Sequence, residues 1–349
     1  MAVVCRKLEA RGAAAWDRFA ADHPDGTFFH RAAWADVIAT AFGHRAHYLM
    51  AERDGAVVGV LPLVHMRTRL FGSALVSTPF CVYGGPLAAD AESLAALTDA
   101  AAALLGPTRA ESVELRFRDA PPDGWLDTTE WLPGPDLYAT FRRPIGADHA
   151  ANLKAIPSKQ RAMVRKGIER GLTSSIVSDV DVLWRIYAES VRNLGTPVFA
   201  RSYFRIISEV FRDSVDMLVV NDAGTPRAAA MSFYWRDEVT PYYVGGTEAA
   251  RHCFANPFMF WEVMRWAATK GARLYDFGRS KVGTGAYAFK KNWGFTPTPL
   301  HYHYRVPDGG AIPDRNPLNP KFRLAIAAWK RLPLPLANAL GPSIVRGLG

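Results

Sequence analysis

The sequence predicts an α/β protein made of two related domains, each a mixed β-sheet flanked by helices. The main observation is a series of elements that occurs twice, about 160 residues apart: a β-hairpin, a strand ending in two glycines, a helix and another strand. The length of 349 residues agrees, since a domain takes roughly 150 residues. The composition, with 49% apolar and 21% charged residues, excludes disordered, collagen-like and coiled-coil chains.

The two copies can be followed element by element. The first has a hairpin over 47–69 that turns at Asp54-Gly55, the glycines Gly84-Gly85, a helix over 91–105 and a strand over 112–117. The second has a hairpin over 216–238 that turns within 221–224, the glycines Gly245-Gly246, a helix over 257–270 and a strand over 273–277. Residues 120–144 are rich in Pro, Gly and Trp and indicate a surface excursion and linker. We therefore predict domains at 1–145 and 146–312, followed by a tail at 313–349.

Charge and cysteine content restrict the partners and the compartment. There are 42 Lys+Arg and 33 Asp+Glu, a net charge of +9, which favours an anionic partner such as nucleic acid, a phosphate-rich donor or an acidic membrane surface. The three cysteines form neither a disulfide framework nor a CxxC pair, which indicates a reducing compartment. The histidines show no metal spacing, so we predict no metal site.

Targeting signals are not evident. Charges occur in the N-terminal segment where a signal peptide needs an apolar core, and no apolar run reaches the ~18 residues of a membrane-spanning helix. We expect a cytoplasmic protein that is either free or attached to a membrane surface.

A basic helix is predicted over 156–172. Five cations stand there against the single acid Glu169: Lys159, Arg161, Arg165, Lys166 and Arg170. Such a face is either solvated or binds an anion, and the lack of acidic partners favours binding.

The segment YDFGRSKVGTGAYAFKKNWGF, residues 275–295, concentrates glycines and cations after a strand. Glycines let backbone N–H groups approach an oxyanion or phosphate, and the following helix adds its positive N-terminus. The segment is not a Walker loop. Asp276 is either a buried partner of Arg279 or a base that takes a proton from an attacking amine. We expect Asp276, Arg279, Lys281, Tyr287 and Lys290 to line one pocket, with Lys281 among the catalytic residues and Ser280 among those that bind substrate or donor.

This segment, the basic helix and the motif FFHRAAWADVIATAFGH at 28–44 together resemble the Fem family of tandem GNAT-like acyl- and aminoacyltransferases. The sequence is most similar to the FemAB-like group associated with PEP-CTERM and exopolysaccharide systems, and bacterial ceramide synthases resemble the wider class. The resemblance implies two GNAT-like domains with the transfer site in the second. Founding members use aminoacyl-tRNA, whereas other relatives use thioesters. The CoA-pyrophosphate loop of ordinary acetyltransferases is missing, since the chain reads TEAARHCFANPF after Gly246.

Acyl transfer requires hydrogen-bond donors for the developing oxyanion and an acid for the leaving group. Gly245 and Gly246 are either such donors or a plain bulge. Glu248 is a second candidate base. Tyr287 stands where the resemblance implies a tyrosine acid, and a tyrosine of the core is the alternative. Asn256-Pro257 reads as N-cap and first residue of a helix whose start would hold a carrier phosphate.

The tail has six basic residues and no acid from 315 to 349. Phe322, Ile326 and Trp329 follow the spacing of one helix face, which is typical of a basic amphipathic helix on an anionic membrane. Packing of the tail onto the rest of the protein is the alternative.

These observations predict an N-acyltransferase without a permanently bound cofactor. It would move an acyl group from acyl-CoA or acyl carrier protein to a lipid-like amine, such as a sphingoid base, at the inner face of the inner membrane. One alternative keeps the fold but uses aminoacyl-tRNA for cell-envelope assembly. Another is a non-enzymatic module that binds nucleic acid or polysaccharide.

Overall fold

The computed structural model describes residues 2–68, 72–307, 310–312 and 323–349. The chain divides into two compact units. Unit 1 comprises Met1–Tyr138, Pro299–Arg315 and Arg346–Gly349, and unit 2 comprises Ala139–Thr298 and Asn316–Val345. The predicted division into 1–145, 146–312 and a separate tail is therefore wrong in its boundaries, because each unit takes segments from both sides of them.

The elements have the following bounds. The strands are β1 (Val4–Lys7), β2 (Arg45–Ala46), β3 (Leu49–Arg53), β4 (Ala56–Leu61), β5 (Leu63–Arg67), β6 (Ser73–Ser77), β7 (Leu87–Ala88), β8 (Val113–Phe117), β9 (Leu132–Pro133), β10 (Tyr138–Pro144), β11 (Thr173–Val177), β12 (Val215–Asp222), β13 (Thr225–Trp235), β14 (Glu238–Gly246), β15 (Leu274–Asp276), β16 (Ser280–Lys281), β17 (Pro297–Pro299) and β18 (His301–Arg305). The α-helices are α1 (Ala13–Asp22), α2 (Trp34–Phe42), α3 (Ala91–Ala103), α4 (Leu105–Thr108), α5 (His149–Ala155), α6 (Ser158–Glu169), α7 (Val180–Leu194), α8 (Arg201–Phe211), α9 (Ala255–Thr269), α10 (Gly285–Asn292), α11 (Arg323–Arg331) and α12 (Leu334–Val345).

Unit 1 contains two sheets, with strand orders β1-β3-β4-β7 and β2-β5-β6-β8-β18-β9. The predicted first hairpin is confirmed as β3 and β4, which are joined by Asp54 and Gly55 at φ 54° and 78°. Two successive positive φ values suit the twist of a tight hairpin. Strands β6 and β8 are parallel and pair at Leu75 with Val113 and at Val76 with Glu114.

Unit 2 contains one sheet with the order β11-β12-β13-β14-β15-β10-β16, and β17 pairs with β10. The predicted second hairpin is confirmed as β12 and β13. Strands β14 and β15 are parallel, whereas β10 and β15 are antiparallel. The α/β class with mixed sheets is therefore confirmed.

Each unit is completed by a strand from a distant part of the sequence. Strand β10 follows unit 1 in the chain but pairs with β15 in unit 2. Strand β18, which we expected in the second domain, pairs with β8 in unit 1. The linker predicted over 120–144 is thus wrong at its end, because β10 supplies the buried Thr140 and Phe141 to the core of unit 2.

Helices cover both faces of the unit 2 sheet. The would-be Cβ atom of Gly245 would meet Tyr187 and Ser190 of α7, whereas that of Gly246 would meet Asn256 of α9. Because neighbouring strand residues face opposite sides, α7 and α9 lie on opposite faces. On the α9 side, α6 packs closely through Gly167.

The described part of the tail packs on α7. A Cβ at Gly195, the C-cap of α7, would lie 2.6 Å from Ile326. Trp329 is half-buried with its indole nitrogen shielded from solvent. The prediction that Ile326 and Trp329 face lipid is therefore wrong, and Phe322 lies outside the described residues. No helix in the described ranges is long and apolar enough to cross a membrane.

Candidate active site

The parallel pair β14 and β15 opens soon after it begins. Glu238 pairs with Leu274 and Val239 with Tyr275, and the pairing ends there. Strand β14 continues to Gly246 with its other edge paired to β13. The edge of β14 beyond Val239 therefore lacks a strand partner within the described chain and leaves backbone groups available to a ligand.

A β-bulge reshapes this edge. Met231 of β13 pairs with Tyr243, but the next residue, Ser232, pairs with Pro241, so that Tyr242 is the extra residue. A bulge bends its strand and redirects the residues after it. Thr247 donates its backbone N–H to Arg227 on the β13 side. By alternation, the N–H groups of Val244 and Gly246 point to the open edge, where they can serve as donors to an oxyanion.

The two glycines have separate roles. Gly245 is buried, and its would-be Cβ would lie 3.0 Å from the Cα of Tyr187 and from the Cβ of Ser190. Gly245 thus allows α7 to approach the sheet. Gly246 is half-buried beside Asn256 and Ala250, and of the two predicted glycines its amide is the one on the open edge.

The predicted start of α9 is wrong. The helix begins at Ala255 after Phe254, which adopts φ 61° and provides no side-chain cap. Asn256 lies inside the first turn, where its side chain contacts Gly246 instead of capping the helix. Pro257, in the same turn, removes one of the free N–H groups that would otherwise hold a phosphate. This helix start is therefore a poorer anion site than the sequence predicted.

Asp276 lies at the base of the opening and is fully buried. Its Oδ1 accepts hydrogen bonds from the Thr140 hydroxyl at 3.2 Å and from the Gly278 N–H at 2.6 Å. Its Oδ2 lies 3.8 Å from the guanidinium of Arg142, which also donates to Glu238 at 2.8 Å. The array ties β10, β14 and β15 together, which identifies Arg142 as an ion-pair partner that sequence analysis missed.

Asp276 and Tyr287 lie on opposite faces of the sheet. Thr140 and Arg142 share one face of β10 with Asp276, while Phe141 between them faces the other way. Phe141 contacts the ring of Tyr287 at 5.2 Å between centroids. The single pocket that the sequence predicted for these side chains is therefore divided by the strand backbone.

Lys290 holds the segment between β15 and β16. Its Nζ donates to the carbonyl oxygens of Phe277, Gly278 and Arg279 at 2.6, 2.9 and 3.0 Å. Burial lowers the pKa of Lys290 to about 7, although the nearby Asp276 favours the charged form. All three ammonium protons are used within the protein, so the prediction that Lys290 binds the donor is wrong.

The remaining residues of the motif lie on or beside this segment. The Tyr287 hydroxyl makes no hydrogen bond to any residue that the structure describes, and its ring is half-buried. The Ser280 side chain is buried, and its Oγ has no hydrogen-bond partner within the described chain. Arg279 and Lys281 are half-buried. Tyr287 and Ser280 thus remain available to a substrate.

Glu248 lies far from Asp276. Asp276 is level with Thr240, and at about 3.3 Å per residue the strand from Thr240 to Gly246 spans about 20 Å. Glu248 follows beyond that end, is exposed, and donates its backbone N–H to the carboxylate of Glu189 at 2.8 Å. Glu248 and Asp276 therefore cannot act on the same atom.

The cations of α6 divide into two groups. Arg161 donates to backbone carbonyls, at 2.6 Å for Lys154, and Arg170 pairs with Asp222 at 3.0 Å. Lys159 and Arg165 are exposed and make no ion pair within the described ranges. Arg161 is therefore a structural residue, and the face available to an anion is smaller than predicted. Across the described residues no group of three or more His, Cys, Asp or Glu side chains is arranged to hold a metal ion.

The comparisons with known proteins agree with this architecture. Residues 158–291 match the model of the acetyltransferase (GNAT) domain. FemX superposes with a TM-score of 0.69 at 16% identity, covering 92% of this chain and 99% of FemX. The C-terminal domain of a putative lysylphosphatidylglycerol synthetase from Agrobacterium fabrum gives 0.55 at 12% identity, covering 85% and 93%. A tandem GNAT protein from the clavulanic acid biosynthesis pathway gives 0.54 at 12%, covering 87% and 98%. A search of curated proteins finds no significant match.

The matched residues 158–291 contain the open edge of β14 and Asp276, and exclude Thr140 and Arg142 on β10. The superposed structures cover both units at low identity, which establishes the shared fold. Unit 2 thus carries the match to an acetyltransferase (GNAT) domain, and the chain shares the tandem GNAT fold of the superposed structures.

Proposed function

We propose that unit 2 transfers an acyl group from a thioester to a primary amine at the open edge of β14. The observation that carries the proposal is the parting of β14 from β15 after Val239, together with the bulge at Tyr242. This arrangement provides an extended backbone edge along which a thioester donor can lie. It also presents the N–H groups of Val244 and Gly246 to the carbonyl oxygen.

In this proposal the amine nitrogen attacks the thioester carbonyl, the C–N bond forms, and the C–S bond breaks. The amine must be neutral to attack, and the proton that its nitrogen loses as the C–N bond forms passes through solvent to the Tyr287 oxygen, which has given its own proton to the leaving thiolate. Tyr287, whose hydroxyl is not used within the described chain, protonates the leaving thiolate. Asp276 acts as a positioning residue, because its carboxylate is already held by Thr140, Gly278 and Arg142.

The proposed donor is acyl-CoA or an acyl carrier protein. Both carry phosphate, and the exposed Lys159 and Arg165 of α6 offer charge to bind it. Helix α6 packs on α9, and the ammonium of Lys166 lies 5.4 Å from the ring of Phe254 at the start of α9. Lys166 therefore stands beside the helix start that follows the open edge, and Lys159 and Arg165 lie on the same helix. They substitute for the missing glycine-rich pyrophosphate loop.

The proposed acceptor is a lipid-like amine such as a sphingoid base. One structurally similar protein is named for a lipid product, lysylphosphatidylglycerol, which supports a lipid acceptor on this fold. Such an acceptor places the enzyme at the inner face of a membrane.

A second candidate is transfer of an aminoacyl group from tRNA. The exposed, unpaired cations Lys159 and Arg165 favour it, since they would equally bind the phosphates of RNA. Nucleic acid would then be a partner.

Purified protein offered labelled acyl-CoA, acyl carrier protein or aminoacyl-tRNA, each with a sphingoid base or a short soluble amine, separates these candidates. We expect amide formation with a thioester donor, and Tyr287→Phe should lower kcat at least tenfold. Tyr304→Phe in unit 1 is the matched control and should be unchanged. Product formed with aminoacyl-tRNA, and with neither thioester donor, would establish the second candidate. Binding of nucleic acid or polysaccharide without turnover of any donor would refute both.

A further inference from the structure

Helices α11 and α12, here called the α11–α12 hairpin, each pack one face against unit 2 at or just after the end of α7. Ile326 and Lys330 of α11 approach Gly195 at the end of α7. In α12, a Cβ at Gly341 would lie 2.9 Å from the backbone of Val198, and Ala337 is buried. Both helices contact α7.

Three leucines of these helices lie outside this packing and are exposed. Leu324 on α11 is 84% exposed, and Leu336 and Leu340 on α12 are 46% and 45% exposed. Leu336 and Leu340 are four residues apart and share one face of the helix. The cations Lys330 and Arg331 end α11 and are exposed beside them. We call the exposed leucines and the neighbouring cations the outer face, in which the stem of Lys330 lies against Gly195 and its residue is otherwise exposed: Leu324, Lys330, Arg331, Leu336 and Leu340.

The net positive charge of the protein comes from unit 2, which carries the outer face. Unit 2 has 27 Lys+Arg and 14 Asp+Glu, a net charge of +13, whereas unit 1 has 15 and 19, a net charge of −4. Of the eleven large apolar side chains exposed in the described chain, only Val4 and Leu348 belong to unit 1. Unit 2 therefore combines apolar exposure with positive charge, and it does so most clearly on its tail, which contains no acid.

We propose that the outer face of the α11–α12 hairpin docks on an anionic phospholipid surface. Exposed leucines enter the boundary between headgroups and acyl chains, and the cations meet lipid phosphates. The docking deepens the proposed function, on which it rests for its purpose, because it would bring unit 2 to a lipid-like acceptor that hardly dissolves in water. The face differs from the one the sequence predicted, since Ile326 belongs to the packed side of α11. The two helices are folded without lipid. Because the cations contribute to the attachment, it should be reversible and sensitive to salt.

The test is cosedimentation of the full chain with vesicles of phosphatidylcholine containing 30% phosphatidylglycerol, and with vesicles of phosphatidylcholine alone. We expect binding to the anionic vesicles that falls at least fivefold between low and high salt. Leu336→Gln/Leu340→Gln and Lys330→Glu/Arg331→Glu should each lower the bound fraction at least fivefold. Val4→Gln, an equally exposed apolar site in unit 1, is the matched control and should bind like the parent. Thermal unfolding of each variant within 3 °C of the parent shows that the hairpin stays folded.

Equal binding of the parent and both double variants would overturn the proposal, as would equal binding to neutral vesicles. Light scattering provides a further test: a dimer that the leucine variant converts to monomer would show that a second copy covers the face, and the proposal would be wrong. Turnover of a short soluble amine, measured separately, reports on the proposed function. Loss of vesicle binding with that turnover intact therefore concerns docking alone, and absence of turnover with binding intact refutes the proposed reaction alone.

Discussion

Both units contain a parallel strand pair flanked by an antiparallel strand from a distant part of the chain. In unit 1 the pair is β6 and β8 beside β18, and in unit 2 it is β14 and β15 beside β10. After β6 the chain of unit 1 returns to β8, where the Gly85 N–H donates to the carbonyl oxygen of Arg116 at 2.8 Å. After β14 the chain of unit 2 leaves the sheet, and Gly246 contacts α9 instead.

The charges of the two pairs are used differently. In unit 1 the guanidinium of Arg116 is buried, pairs with Glu114 at 2.7 Å and donates to the carbonyl of Cys81 at 2.8 Å. These contacts satisfy the Arg116 guanidinium with the protein's own groups and tie β8 to the segment that follows β6. In unit 2 the array of Arg142, Glu238 and Asp276 lies at the base and leaves the edge of β14 beyond it open. Under the proposed function, the same strand arrangement serves as a support in unit 1 and as the site in unit 2.

The largest expected effect tests the closed pair of unit 1. Arg116→Met leaves the buried carboxylate of Glu114 without its partner, and we expect the free energy of unfolding to fall by about 3–5 kcal/mol. Because unit 1 does not contain the site, kcat/KM per folded molecule should be unchanged. Chemical denaturation and an activity assay at low temperature measure the two quantities. A large fall in kcat/KM without loss of stability would show that unit 1 takes part in catalysis.

The second test concerns the array of unit 2. Asp276→Asn keeps acceptors for Thr140 and Gly278 but removes the charge that faces Arg142, and we expect kcat/KM to fall by roughly 100-fold as the strand ends shift. If Asp276 only positions the segment, the shape of the pH profile should be preserved. Loss of the acidic limb of the profile would instead identify Asp276 as the base.

The third test uses the buried amine beneath the site. The pKa of Lys290 is about 7 in the folded protein and 10.5 unperturbed. Between these values the unfolded chain binds more protons, so the free energy of unfolding should rise with pH from about 7, by at most ~1.4 kcal/mol per pH unit, relative to Lys290→Met. Below pH 7 both states are protonated and the difference should be constant. Denaturation of both proteins between pH 6 and 9 measures it. Parallel stability curves would show that Lys290 stays charged throughout on its three carbonyl acceptors.

The smallest expected effect is that of Glu248→Gln. The side chain is exposed and lies beyond the far end of β14, so we expect kcat/KM to change less than twofold. A tenfold loss of kcat/KM for the amine, measured with the donor at saturation, would show that Glu248 takes part in the reaction.

Much of the fold could be predicted because it rests on local patterns. The turn at Asp54-Gly55, the repeated order of elements and the double glycines are visible in the sequence, and the hairpins they predict are present. The exchange of β10 and β18 could not be predicted, because a short strand such as ATFRRP does not reveal which distant strand it pairs with.

The sequence names several residues of the proposed site but does not reveal how they are arranged. The motif around Asp276 supplies a segment of the proposed site, yet the partners of Asp276, Thr140 and Arg142, lie more than 130 residues earlier in a stretch that reads as linker. Lysine is a residue type that commonly binds anions, and only the three carbonyl contacts of Lys290 reveal its structural role. Alternation across a strand separates Asp276 from Tyr287, which proximity in sequence conceals.

The central claim is that the donor lies on the open edge of β14 and not on the closed pair of unit 1. Hydrogen–deuterium exchange with and without a non-hydrolysable acyl-CoA thioether measures this directly, since it reports on the backbone N–H groups themselves. We predict slower exchange in peptides that contain Val244 and Gly246, with no change in peptides covering β6, Gly85 and β8. Protection in unit 1, with exchange at Val244 and Gly246 unaltered, would contradict the account.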